Sequence, residues 1–181
     1  MGMIFFGRRL TAEELARVTA DPATAMEVLL LHSEADRTID VDKAWQGLYN
    51  LLADADPQNP VRDALLRGDP IDSDDMLTLM SAARPSEAIL GGDPVWPDDP
   101  DTLLNLLSAD RVQAVHAALS GIDREALGAR YDAAAFAADE VYPSIWDDDG
   151  ALEYLLQNYD ALRAFYAAAA AAESAVLISI G

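Results

Sequence analysis

Cysteine is absent from the 181 residues. Disulfides, thiolate metal sites and cysteine nucleophiles are excluded with it, and the absence fits a reducing compartment. Lysine is nearly absent as well. Lys43 stands alone, and the chain sets 12 basic side chains against 32 acidic ones, for a net charge of −20. Duplex nucleic acid is held mainly by Lys and Arg that neutralise its phosphates, and only Arg8 and Arg9 are adjacent basic residues here. Nucleic acid and anionic membrane are therefore not expected as partners. No apolar run approaches the roughly 20 residues that cross a bilayer. Arg8 and Arg9 follow the apolar start, whereas a signal peptide places its basic residues first. No export signal is read, and the cytoplasm is the expected compartment.

Histidine is scarce, with only His32 and His116, each on or beside an apolar helical face. A hydrogen-bonded structural role or a surface position suits both better than catalysis. There is no His-Glu-x-x-His for zinc, no glycine-rich dinucleotide or phosphate loop, and no Gly-x-Ser-x-Gly. The run Asp36-x-Thr38-x-Asp40-x-Asp42 invites a calcium loop, but its sixth position is Val41 rather than Gly and its twelfth is Gly47 rather than Glu. The clusters Asp72–Asp75 and Asp147–Asp149 also lack ligand spacing, and helix capping with solvated acidic faces accounts for all three. No cofactor, metal site or catalytic residue is expected, and the chain reads as an unlikely enzyme.

What is present is a globular composition. Apolar residues make up 51% of the chain and charged residues 24%, which suits one ordinary domain with a real core. Residues 1–10 read as an apolar strand. Thr11 and Glu14 have capping-box spacing for a helix over 12–19. Asp21-Pro22 breaks it, and a second helix follows to about Ser33. Asp40 reads as the cap of a helix on which Val41, Trp45, Leu48 and Leu52 share a face. Residues 54–75 read as loop around a short helical turn at 61–67, and Gly91-Gly92 leads into a Pro- and Asp-rich loop at 93–101. From Ser108 a helix carries Val112, Val115 and Leu119 on one side. A short helix follows at 123–130, and 133–137 reads as another turn. Pro143 pushes Tyr142 toward extended geometry. The longest helix starts near Asp149, with Leu152, Leu155, Tyr159, Leu162, Tyr166 and Ala169 in a stripe. Residues 175–180 read as a buried strand. The expected fold is α+β: a mostly helical single domain spanning 1–181, with a small sheet that includes the N- and C-terminal strands.

Three segments carry a family resemblance: Met1-Gly2-Met3-Ile4; Ile39-Asp40-Val41-Asp42-Lys43-Ala44-Trp45-Gln46-Gly47-Leu48; and the stretch from Glu87-Ala88-Ile89-Leu90-Gly91-Gly92 to the end, with Val141-Tyr142-Pro143 and the long Leu- and Tyr-bearing helix. In order and spacing the chain resembles the YfbM-like family of uncharacterised bacterial proteins. The resemblance implies a small α+β domain without an assigned activity, so no catalytic residue carries over. After Trp45 the chain departs from the family pattern of histidine and a Thr-Gly pair, reading Gln46, Tyr49, Ala53 and Asp54. Any chemistry that rested on those histidines would be lost here.

One group of residues stands out as a candidate pocket or interface. Asp40, Asp42, Lys43 and Trp45 lie near one helix start, Tyr142 and Trp146 precede another, and Trp96 sits in the acidic loop. Against this, Trp45 and Tyr142 fit the core, Lys43 fits an ion pair with Asp40 or Asp42, and Trp96 fits a residue folded back onto the core. Three functions stay open. The first is a non-enzymatic, immunity- or inhibitor-like module that covers a basic protein, because net charge steers such encounters. The second is a small-molecule binder or enzyme with a pocket at Asp40–Trp45 and Tyr142–Trp146. The third is a structural or oligomeric module of unstated copy number. The charge also has a bland source: abundant Ala, Asp in excess of Glu and a single Lys suit a high-GC or salt-tolerant proteome, and large net charge confers solubility by itself.

Overall fold

Residues 2–31, 35–54, 82–95 and 103–181 are described by the computed structural model. The N-terminal apolar segment forms strand β1 (Phe5–Arg9), and the C-terminal one forms β5 (Val176–Ile180). The two pair antiparallel, with Phe5 opposite Ile180 and Arg9 opposite Val176. The described strands form one sheet in the order β2-β1-β5-β4-β3, with β2 at Thr38–Asp42, β3 at Asp93–Pro94 and β4 at Leu103–Leu107. Every pairing among these described strands is antiparallel.

β5 lies at the centre, and the period of two sorts its side chains between two cores. Val176, Ile178 and Ile180 face the larger core, and Leu177 faces the smaller one. The larger core receives α3 (Trp45–Asp54), α5 (Ala109–Ser120), α6 (Arg124–Gly128), α7 (Ala133–Ala138) and α8 (Ala151–Ala171). The smaller core lies under α1 (Ala12–Ala20) and α2 (Ala25–Leu29), through Val18, Ala25, Val28 and Leu29. A short helix, α4 (Glu87–Leu90), is tied to both α5 and α8. Arg111 Nε and Nη2 donate to Glu87 at 2.6 and 2.5 Å, and the buried Tyr166 hydroxyl donates to Ala88 O at 2.9 Å.

The capping box forms in both halves. Glu14 N–H donates to Thr11 Oγ1 at 3.1 Å, and Thr11 N–H donates to Glu14 Oε2 at 2.8 Å. Ser108, Asp123 and Asp132 cap α5, α6 and α7 through their side chains. In the stripe along α8, Leu155, Tyr159, Leu162, Tyr166 and Ala169 are buried, while Leu152 is half-buried.

The structure differs from the sequence reading in three places. Pro22 opens a 3-10 turn rather than an α-helix, and α2 stops at Leu29. Asp40 is not a helix cap. It lies in β2, where burial alternates through Ile39 and Val41, and α3 begins only at Trp45. Val41, Leu48 and Leu52 do share a core with Trp45, but Val41 reaches it from a strand. Over so short a window the helical and strand periods fit the same residues, and pairing with β1 decides. Finally, Asp93–Pro94 and Leu103–Leu107 are strands. Leu-Leu-Asn-Leu-Leu carries no alternation, and it is the ladder to β5 that makes it one. The helical turn expected at 61–67, the Asp72–Asp75 cluster, His32, Ser33 and Trp96 lie outside the described residues.

Candidate functional site

The turn from β2 into α3 is built by two aspartates. Asp42 sits in the left-handed region at φ +48, and its N–H donates to Asp40 Oδ1 at 2.7 Å. This is the local side-chain-to-backbone closure for which Asp is favoured in turns. The Asp42 carboxylate faces α8, where the Tyr154 hydroxyl donates to its Oδ2 at 3.0 Å. Burial first, then the hydrogen bond to Asp42 and the Asp42 charge, push the Tyr154 hydroxyl up to about 12, against a smaller opposing pull from the Lys43 and Ala44 N–H groups. Asp42→Asn keeps a residue that tolerates positive φ while removing the charge. Tyr154 is then expected to ionise below about 12, yet above its ordinary value because the burial remains. A tyrosine absorbance titration of the two proteins checks this, and identical curves would remove Asp42 from the causes.

Trp45 and Trp146 belong to the core rather than to an open site. Trp45 Nε1 donates to Met3 O at 3.1 Å, which pins the N-terminal segment over α3. Trp146 is 3% exposed, donates through Nε1 to Val141 O at 2.8 Å and meets Phe136 edge-on. The Tyr131 hydroxyl donates to Trp146 O. Trp146 can lie this close to α3 because position 47 is glycine. A Cβ there would fall 2.9 Å from Trp146 Cη2 and 2.8 Å from Leu155 Cδ2.

Lys43 and Tyr142 are different: both are half-buried, and they come together. They converge on Gly2, where a Cβ would collide with the Tyr142 hydroxyl and fall 2.7 Å from Lys43 Cε. The Tyr142 N–H donates to Gln46 Oε1 at 3.1 Å, and the Tyr142–Pro143 peptide is cis. Lys43 makes no ion pair with Asp40 or Asp42. Instead of an ion-paired cluster, the corner presents an ammonium beside a phenol. Asp40 and Asp42 are exposed near it, as are Asp139, Glu140 and Asp147–Asp149, which flank the Tyr142–Trp146 loop in the chain. None of those five flanking carboxylates pairs with a cation among the described residues.

Gly2, Gln46 and Tyr154 belong to this corner and were not expected from the sequence. Their places depend on the sheet register and on how α8 lies over β2, which no spacing encodes. Among the described residues, no group of three or more His, Asp or Glu is placed to hold a metal ion, and no helix is long and apolar enough to cross a membrane.

A family described as a domain of unknown function, DUF1877, matches residues 1–179. The chain belongs to that family. A crystal structure of YfbM from Escherichia coli, a protein of unknown function, shares the fold with a TM-score of 0.67. It is 18% identical, and the match covers 98% of this chain and 99% of the other. At that identity the likeness speaks for the fold alone. No curated protein matches the sequence. The expected α+β domain with its terminal strands paired in a small sheet is therefore the architecture of a DUF1877 member, and the family description carries no activity to transfer.

Proposed function

We propose that this DUF1877 protein works by binding rather than by catalysis, and that its partner is a protein with a basic surface. The observation that supports this reading is the placement of carboxylates. Asp139 and Glu140 precede the Tyr142–Trp146 loop, Asp147–Asp149 follow it, and all five are exposed without a cationic partner among the described residues. Like charges gathered this way repel one another in the free protein. A cationic surface would relieve that repulsion and be steered toward the loop, with an association rate that falls as salt rises. Met3 and Ile4, 47% and 39% exposed, supply apolar contact at the N-terminal segment that Trp45 pins.

The test is capture from native cytoplasm by the full chain, at low and at high salt, alongside a variant carrying Asp147→Asn, Asp148→Asn and Asp149→Asn. A stoichiometric basic protein, released by salt and lost to the variant, supports the reading. Retention of nothing, or equal retention by both chains, overturns it.

A second reading rests on the meeting of Lys43, Tyr142 and Gly2, which would suit a small molecule with an anionic group. Thermal-shift screening of carboxylates and phosphates against the wild type and Lys43→Gln separates it from the first. A ligand that stabilises only the wild type favours a small-molecule site at this corner.

A further inference from the structure

Among the described residues, several arginines of this acidic protein are committed to carboxylates. Arg8 and Arg37 bond to Glu14, Arg17 to Glu27, Arg111 to Glu87, and Arg124 to both Glu153 and Asp160. Arg163 is not committed in this way. Among the described residues its guanidinium makes no ion pair or hydrogen bond, and it lies over the Tyr159 ring with Cζ 5.7 Å from the ring centroid. Tyr159 is itself fixed, because it is fully buried and its hydroxyl donates to Ile122 O at 2.8 Å. The acidic residue one turn back on α8, Asp160, is turned toward Arg124. The guanidinium thus has a cation–π contact with a fixed ring, and its N–H fork has no acceptor among the described residues.

Arg163 also lines a cavity of about 210 Å³ between α5 and α8, together with His116, Leu119, Ser120, Ala164 and Ala167. The Ser120 hydroxyl donates to His116 O at 2.8 Å, so its proton is already used. The His116 ring has no partner among the described residues, and in either protonation state an imidazole offers at least one N–H. Two donor-bearing side chains, one of them a permanent cation, therefore line a cleft completed by Leu119, Ser120 and two alanines. We propose that this cleft is a binding site for a small oxyanion, a carboxylate or a phosphate, borne on a short apolar stem. The guanidinium fork suits either group. The volume lies below the roughly 300 Å³ at which drug-sized sites begin, which restricts the ligand to a few heavy atoms beyond the anion. The site is distinct from the Asp42 corner, since α8 carries Tyr154, which bonds Asp42, and Arg163 nine positions, or about 14 Å, apart along its axis.

Titration of the full chain with inorganic phosphate and, separately, with butyrate, followed by backbone amide shifts, tests the proposal. Saturable shifts confined to residues 113–122 and 160–168 are expected with at least one probe. Arg163→Gln is expected to weaken binding about tenfold or more, with His116→Gln weakening it less and Arg17→Gln, at an exposed ion pair of α1, leaving it unchanged. Folding of each variant is checked by its unperturbed shifts elsewhere. Which probe saturates distinguishes a carboxylate from a phosphate ligand. Absence of saturable shifts with both probes, or equal binding by Arg163→Gln, overturns the proposal.

Discussion

Glu14→Ala is expected to be among the most damaging single substitutions in the chain, at about 3–5 kcal/mol. The Glu14 carboxylate takes Arg8 Nη2 at 2.8 Å, Arg37 Nη1 at 2.6 Å and Nη2 at 3.1 Å, and the Thr11 N–H at 2.8 Å. Arg8 is 1% exposed, so removal of the carboxylate takes an ion-pair partner at 2.8 Å away from a cation in the interior. Arg8 retains its bond to Leu31 O and Arg37 its bond to Arg9 O, which keeps the cost from rising further. The node joins β1, the first turn of α1 and the approach to β2, so its loss is felt by three elements at once. For a chain of this length the expected fall in melting temperature is about 10 °C.

The same node sets an acid dependence. Burial pushes the Glu14 carboxyl up, but hydrogen bonds from Arg37, the Thr11 backbone and Arg8 outweigh it and hold the group down at about 2 rather than 4.5. A depressed folded-state value means the stabilisation is whole above about 4.5 and is lost as pH falls from there through about 2. The difference is worth about 3 kcal/mol by linkage. Urea unfolding of wild type and Glu14→Gln from pH 7 downward is expected to show two curves that converge across that window. A gap that stays constant with pH would mean the carboxylate's charge is not what stabilises the node.

The sequence made some of this legible and hid the rest for identifiable reasons. Thr11 and Glu14 announce their capping box at fixed spacing, because the box is a local structure closed within one turn. Val176–Ile180 is apolar at four of five positions because the central strand is covered on both faces, and such a run is visible without alignment. Arg8, by contrast, reads as a surface cation. Its burial follows from lying opposite Leu177 on the face covered by α1, and from a carboxylate delivered by that helix. β2 is ambiguous because Ile39, Val41, Trp45 and Leu48 satisfy part of each period, and β4 because Leu103–Leu107 satisfies neither. At the candidate corner the chemistry-bearing types are visible in the sequence, yet type does not give depth. Trp45 and Trp146 went to the core, and Lys43 and Tyr142 were brought together over Gly2 by the tertiary fold. The Arg163–His116 cleft had no sequence signature at all, since each residue alone is an ordinary member of a helix.

Trp146→Ala is the other substitution with a large expected effect, about 3–5 kcal/mol, the range for deleting a buried aromatic. Three kinds of contact fail together: packing against Gly47 of α3, the edge contact with Phe136 of α7, and the Nε1 bond to Val141 O. Gly47 cannot fill the gap, so a cavity remains unless the 141–146 segment moves inward. That segment carries Tyr142, which is tethered to α3 by the bond from its N–H to Gln46 Oε1. The variant is therefore expected to loosen Tyr142 from Lys43 as well as to destabilise the whole domain. Hydrogen exchange at 141–146 should rise more than the global loss of stability accounts for. Trp146→Phe keeps an aromatic edge for Phe136 but drops the Nε1 donor, so it should cost less and leave exchange at Tyr142 closer to wild type. Equal exchange in wild type and Trp146→Ala, after correction for global stability, would show that Gln46 and Gly2 hold Tyr142 without the indole, and would remove Trp146 from any role in shaping the corner.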